Sequence, residues 1–177
     1  MFCRGLVLIA IAILCGAASP PKPAAPKAAA KPPAQTAFDA RDPAALVALL
    51  AAMDAKAQVT ARTEDSVALR VDSPAGAFAA QFADCGRNGR DCQAILFDAT
   101  ADSRAATLPQ LNAFNQTALA CRAYQDRAGK AHVLYSALLF ASDTAQEMRT
   151  HVGAWQGCLA TFGEFLKDPS AYLATAP

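Results

Sequence analysis

The spacing of apolar positions changes period several times between residues 43 and 166, and each change marks an element. Residues 43–55, "PAALVALLAAMDA", place Leu46, Leu49, Leu50 and Met53 on one stripe, with Asp42 as N-cap and Pro43 as first helical residue. The period then falls to two. Val59, Ala61 and Thr63 alternate with Thr60, Arg62 and Glu64; beyond Glu64-Asp65, Val67, Leu69 and Val71 alternate with Ala68, Arg70 and Asp72. This predicts two half-buried strands joined by a tight turn. The turn "SPAG" at residues 73–76 leads into a third strand with Phe78 and Phe82 on one face, and "CQAILFDAT", residues 92–100, is a fourth. Residues 57–100 thus read as an antiparallel meander.

A helix is expected from Leu108 to Leu119, with Thr107 as cap and Pro109 in its first turn. "CRAYQD", a turn at Arg127 to Lys130 and "AHVLYSALLF" form a second hairpin. The last helix opens with the capping pattern Asp143 to Gln146, carries Met148, Val152, Trp155, Leu159, Phe162 and Leu166 at helical spacing, and ends at Asp168-Pro169. The predicted order is α-ββββ-α-ββ-α, an α+β domain in which an antiparallel sheet, a four-strand meander plus a hairpin, is packed with three helices.

Asn112 and Asn115 flank Phe114 in the middle helix, although Asn is a mediocre helix former. At about 100° per residue, Asn115 lies near the centre of the arc shared by Leu108, Leu111, Phe114, Ala118 and Leu119, with Asn112 at its edge. A buried amide left unpaired costs about 1–3 kcal/mol, so Asn115 is expected to bond backbone groups where the helix passes into the strand beginning near Cys121. An amide alone does no acid-base chemistry, which makes the role structural.

Composition changes this picture little, but charge and the first 37 residues change it more. A chain of 177 residues with 54% hydrophobic and 18% charged residues suits one globular domain with appendages. "MFCRGLVLIAIAILCGAAS" has a cationic start at Arg4, an apolar run from Leu6 to Leu14 and small residues at Gly16 to Ala18, the layout of a secretory signal peptide over residues 1–18. Lipidation at Cys15 is the rival reading. The run is too short for a stable transmembrane anchor. Residues 19–37, rich in Pro, Ala and Lys, read as a flexible linker, and 38–177 as the folded domain. That domain holds 12 basic against 15 acidic residues, a net charge of −3, which offers phosphate backbones no basic footprint. No nucleic-acid partner is expected, and the address is periplasmic, across the inner membrane.

Outside the signal, the cysteines are Cys85, Cys92, Cys121 and Cys158, an even count in an oxidising compartment. Cys85 and Cys92 end consecutive strands across "GRNGRD" and can face each other. Cys121 begins a strand, Cys158 shares the last helix's apolar face with Trp155 and Phe162, and a bridge would tie helix to sheet. Two buried free thiols are the alternative for that second pair. Arg87 and Arg90 would favour a thiolate at Cys85 or Cys92, but the spacing is not that of a C-x-x-C oxidoreductase. No metal pattern, cofactor loop or catalytic constellation is legible, and His132 and His151 read as surface or rim residues. Arg122, Tyr124 and Asp126 form a solvated sheet face or line a groove.

The stretch "LPQLNAFNQTALACRAYQDRAGKAHVLYSALLF" resembles the YbjN domain family, whose pattern is a helix ending in N-x-[WF]-N, a strand with an R-A-Y-like run and a D-x-x-G-K turn before an apolar strand. The matching residues are Asn112, Phe114, Asn115, Arg122, Ala123, Tyr124, Asp126, Gly129 and Lys130, with Trp155 and Phe162 also in keeping; Cys121 stands where the pattern has a large apolar residue. The resemblance covers about residues 44–166. It implies a fold like that of class I type III secretion chaperones and a role as a sensory transduction regulator or chaperone-like binding module. It carries no enzymatic activity and no cofactor. A protein client is the implied partner, and the fold admits a homodimer. A thiol-disulfide protein using Cys85 and Cys92, and a small-molecule sensor with a pocket between sheet and last helix, are the alternatives.

Overall fold

The computed structural model describes residues 38–101 and 106–176; the expected signal peptide and the Pro/Ala/Lys-rich segment lie outside the described residues. The elements are α1 (Pro43–Ala51), β1 (Lys56–Arg62), β2 (Val67–Ser73), β3 (Gly76–Ala83), β4 (Ala94–Thr100), α2 (Leu108–Thr117), β5 (Arg122–Gln125), β6 (Ala131–Leu138), α3 (Ala145–Lys167) and α4 (Pro169–Thr175). The strands form one sheet in the order β1-β2-β3-β4-β6-β5, antiparallel throughout. This is the expected α+β arrangement with one helix more. Asp168 ends α3, and its side chain accepts the Ala171 N–H while Pro169 occupies the first turn of α4. A proline that cannot continue one helix is well placed to begin the next.

Alternation along β2, β3, β4 and β6 sends Val67, Leu69, Val71, Phe78, Ala80, Phe82, Ile95, Phe97, Ala131 and Val133 to one buried face. Helix α3 covers it. Trp155 is fully buried, its ring 5.9 Å from Phe97 in a stacked pose and 5.5 Å from Phe78 edge-on. A second aromatic group, Phe114, Phe162, Phe165 and Tyr172, joins α2, α3 and α4. Between these groups the Cys121–Cys158 bridge ties the approach to β5 to the middle of α3. These side chains belong to one continuous buried cluster between the sheet and α3.

Several expected boundaries move. Helix α1 stops at Ala51 because the Ala55 N–H returns to the Leu50 carbonyl and Asp54 takes a left-handed conformation (φ 59°), leaving Met53 half-buried. The cap of α3 is Thr144, in a reciprocal capping box with Glu147, while Asp143 accepts the Phe140 N–H ahead of it. Phe165 is buried, while Leu166, placed on the stripe by spacing, is only half-buried. Leu119 lies beyond the end of α2 and is 97% exposed, and Leu108 is exposed too.

The asparagine motif resolves into one structural bond and one exposed residue. Asn115, half-buried rather than buried, pairs with both backbone groups of Ala123: its Nδ2 donates to the carbonyl at 2.9 Å and its Oδ1 accepts the N–H at 2.6 Å. The side chain thereby acts as a short strand against the outer edge of β5. Asn112 is exposed. Arg122 turns back over the end of α2, donating from Nη1 to the carbonyls of Ala118 at 2.9 Å and Cys121 at 2.6 Å, so it serves the helix C-terminus. Replacing Asn115 by Ala leaves the backbone of buried Ala123 unpaired and is expected to cost about 1–3 kcal/mol in urea unfolding, whereas Asn112→Ala stays within about 0.5 kcal/mol.

Candidate binding site

Strand β1 departs from the expected half-buried pattern, and the departure builds a site. Its pairing with β2 runs Val59 against Leu69 and then Ala61 against Ala68, so Thr60 is the extra residue of a bulge. Beyond a bulge the two faces exchange. Ala61, expected beside Val59, moves to the open face, and Arg62 takes the helix face instead. Every β1 residue except Ala57 is exposed, because β1 is an edge strand and α1 covers little of it.

Arg62 Nη1 donates to the Asn88 carbonyl at 2.8 Å, which anchors β1 to the loop between β3 and β4. That loop is closed by the Cys85–Cys92 bridge and a small turn in which the Gly86 N–H bonds the Arg90 carbonyl. Asp84, Asn88, Gly89 and Asp91 all have positive φ, a concentration that suits the Asn, Asp and Gly composition of the stretch. Glycine is required at 89: besides φ 65°, a Cβ would sit 2.8 Å from Val67 Cγ2 and press on the Arg62 guanidinium. The loop is fastened to the segment before α1. The Cys92 N–H bonds the Arg41 carbonyl at 3.2 Å, Arg90 Nε pairs with Asp42 at 3.3 Å, and Arg41 bridges Asp39 and Asp91 at 2.9 and 3.2 Å. The Arg41 guanidinium holds the Asp39 carboxyl below its ordinary range.

These pieces enclose a cleft of about 500 Å³ lined by Pro43 and Val47 of α1, Val59 and Arg62 of β1, and Gly89 and Arg90 of the loop. A second cleft of about 700 Å³ shares Asp42, Ala44 and Arg90 and continues along α1 to Ala145 and Arg149 of α3. The first runs beside the free edge of β1. It offers apolar walls, the Arg62 guanidinium and the Arg90–Asp42 ion pair.

Tyr124, Arg122 and Asp126, read as a solvated sheet face or the lining of a groove, do not act as one set. With Arg122 turned onto α2, Tyr124 donates to Asp98 Oδ2 at 3.1 Å, and His132 Nδ1 lies 2.9 Å from Asp98 Oδ1 and 3.2 Å from Thr100 Oγ1. The Tyr124 and His132 rings stack at 4.6 Å. The other imidazole nitrogen, Nε2, is buried 3.6 Å from Asp126 Oδ2, beyond hydrogen-bonding reach. The cluster joins β4, β5 and β6 on the open face of the sheet. Asp126 accepts the Lys130 N–H at 2.8 Å, the main reason its carboxyl stays below the ordinary range. His151, at the rim, meets Tyr135 Oη at 2.7 Å.

Both cysteine pairs are bonded, Cys85 with Cys92 and Cys121 with Cys158; Cys92, Cys121 and Cys158 are buried and Cys85 half-buried. Two bridges fit an oxidising compartment. Among the described residues no helix is long and apolar enough to cross a membrane, and no group of three or more ligating side chains is placed to hold a metal ion. The cleft is not legible in the sequence, because a bulge leaves no mark in periodicity. Asp98 was legible only as a polar position of the fourth strand; register brings it beside His132. No protein-family model, curated protein or solved structure matches the chain.

Burial, with the Asp98 charge and hydrogen bond adding to it, pushes the Tyr124 phenol up to about 12. The folded state therefore keeps a proton that the unfolded chain releases near pH 10, so this contribution is complete below pH 10 and is lost as pH rises through about 12. Between pH 10 and 12 the melting temperature of the native chain is expected to fall more steeply than that of Tyr124→Phe, in parallel thermal scans.

Proposed function

We propose that this chain is an exported, non-enzymatic binding module of the cell envelope, of the YbjN type, that holds a protein client in a chaperone-like manner as part of a regulatory role. The observation that carries the reading is the free edge of β1 running beside an apolar cleft with two arginines. An edge strand presents unpaired backbone groups, and a bordering cleft supplies pockets for alternate side chains; together these recognise extended protein segments. Exposed apolar surface is added by Leu138 at the end of β6 and by Phe140 just beyond it, 66% and 58% exposed. Periplasmic residence accords with the two bridges and the signal-like start.

The thiol reading has less support. Exchange needs an attacking thiolate to reach a sulfur, and Cys92 is fully buried with Cys85 half-covered. The bridge instead holds the loop that carries Gly89 and Arg90 against α1 and β1.

Crosslinking of the tagged chain in its native envelope, followed by mass spectrometry, tests the reading. One dominant protein partner is expected, retained when Cys85 and Cys92 are both replaced by Ser. Partners found only as mixed disulfides and lost in that variant overturn it in favour of thiol chemistry. The same double replacement is expected to lower stability by about 2.5 kcal/mol in denaturant unfolding, the chain-entropy value for so short a loop.

A further inference from the structure

We propose that β1 accepts an added strand: an extended peptide lying antiparallel along its free edge, with an acidic residue two positions before an aliphatic one. The carboxylate meets Arg62 and the aliphatic side chain enters the cleft beside Val59. This rests on the binding-module reading and names the chemistry of the client segment.

Strand β1 is the longer of the two sheet edges, seven residues against four in β5, and the edge of β5 is already occupied by Asn115. Every pairing in the sheet is antiparallel, so an antiparallel addition continues the existing twist and bond pattern. The Thr60 bulge places Val59 and Arg62, three apart in sequence, on one face and one step of alternation apart. A regular strand facing them presents side chains to both at a spacing of two. Its direction puts the residue beside Arg62 first. Both Val59, half exposed, and Arg62 line the same cleft, whose far wall is Pro43 and Val47.

Charge selects the partner. Arg62 spends one N–H on the Asn88 carbonyl, and among the described residues no carboxylate pairs with it. Arg90 at the same cleft is paired with Asp42. A bulge and a terminal arginine are devices that discourage indiscriminate edge pairing. They repel a basic strand, fit a neutral one poorly, and leave an acidic one favoured.

The test uses the full chain with its bridges formed and the fluorescein-labelled peptide Ser-Glu-Thr-Val-Thr-Thr-Ser, followed by fluorescence anisotropy. Saturable binding is expected, weakened about tenfold or more when the Glu is replaced by Gln, because a charge-assisted bond to Arg62 is lost. The reversed peptide Ser-Thr-Thr-Val-Thr-Glu-Ser is expected to bind far more weakly. The variant R62E is expected to lose the Glu peptide and gain one carrying Lys at that position; should R62E melt early, R62Q, which keeps a donor for Asn88, must still lose the Glu-over-Gln preference. Absence of saturable binding, equal binding of the reversed peptide, or an unchanged preference in a folded Arg62 variant overturns the proposal. If the peptide fails while envelope crosslinking still captures a dominant partner, only the β1 assignment falls; if no partner is captured, the binding-module reading falls as well.

Discussion

Covering one apolar face of a six-stranded sheet is the constraint on which the rest of this structure depends. The inward side chains of β2, β3, β4 and β6 are large in the middle of the sheet, where Phe78 and Phe97 meet Trp155, and small toward β5, where Ala123 and Ala131 sit. One long helix, α3, spans both zones. Its first half supplies Trp155 to the wide part, and its second half supplies Phe162 and Phe165 to the group formed with α2 and α4. Fully burying side chains of this size contributes about 1.5–3 kcal/mol each, so the core outweighs any surface ion pair on the molecule. Single polar bonds matter where that packing thins. There, Asn115 and the Cys121–Cys158 bridge fasten β5 to the helices.

The fold class, the order of elements and the Cys85–Cys92 pairing were legible because each rests on a local signal: two-residue alternation, helical stripes, capping pairs, and cysteines at the ends of consecutive strands; for Cys121 and Cys158 a bridge and two free thiols stood open until the fold brought them together. The partner of Asn115 was legible for the same reason, since an amide near a helix end has few places to go. Short-range cues also failed in places. Spacing put the cap at Asp143, paired with Gln146, but one residue on, Thr144 and Glu147 make the reciprocal bond that fixes the start of α3. The proline that terminates α3 gave no sign that it also starts α4. Leu119 followed the helical period past the point where the chain had already left the helix.

The candidate site was not legible, and the cause is specific. Alternation assumes an unbroken pleat, and one extra residue at Thr60 carries Arg62 to the face that periodicity assigned to Ala61 and Thr63. The other walls come from residues 43–47 and 88–90, which only the folded chain assembles. The Asp98, Tyr124, His132 cluster is comparable: three ordinary strand positions whose proximity follows from a strand order, β4-β6-β5, that a single sequence does not state.

The two bridges have a consequence for how the chain matures. They join the four domain cysteines in order of occurrence, first to second and third to fourth, and neither loop encloses the other. A chain that meets an oxidant progressively, from its N-terminal end, finds each correct partner as the next thiol to emerge. Under that order of exposure, pairing each thiol with the next to appear and forming the native bonds are the same event, with no mistaken bond left to reshuffle.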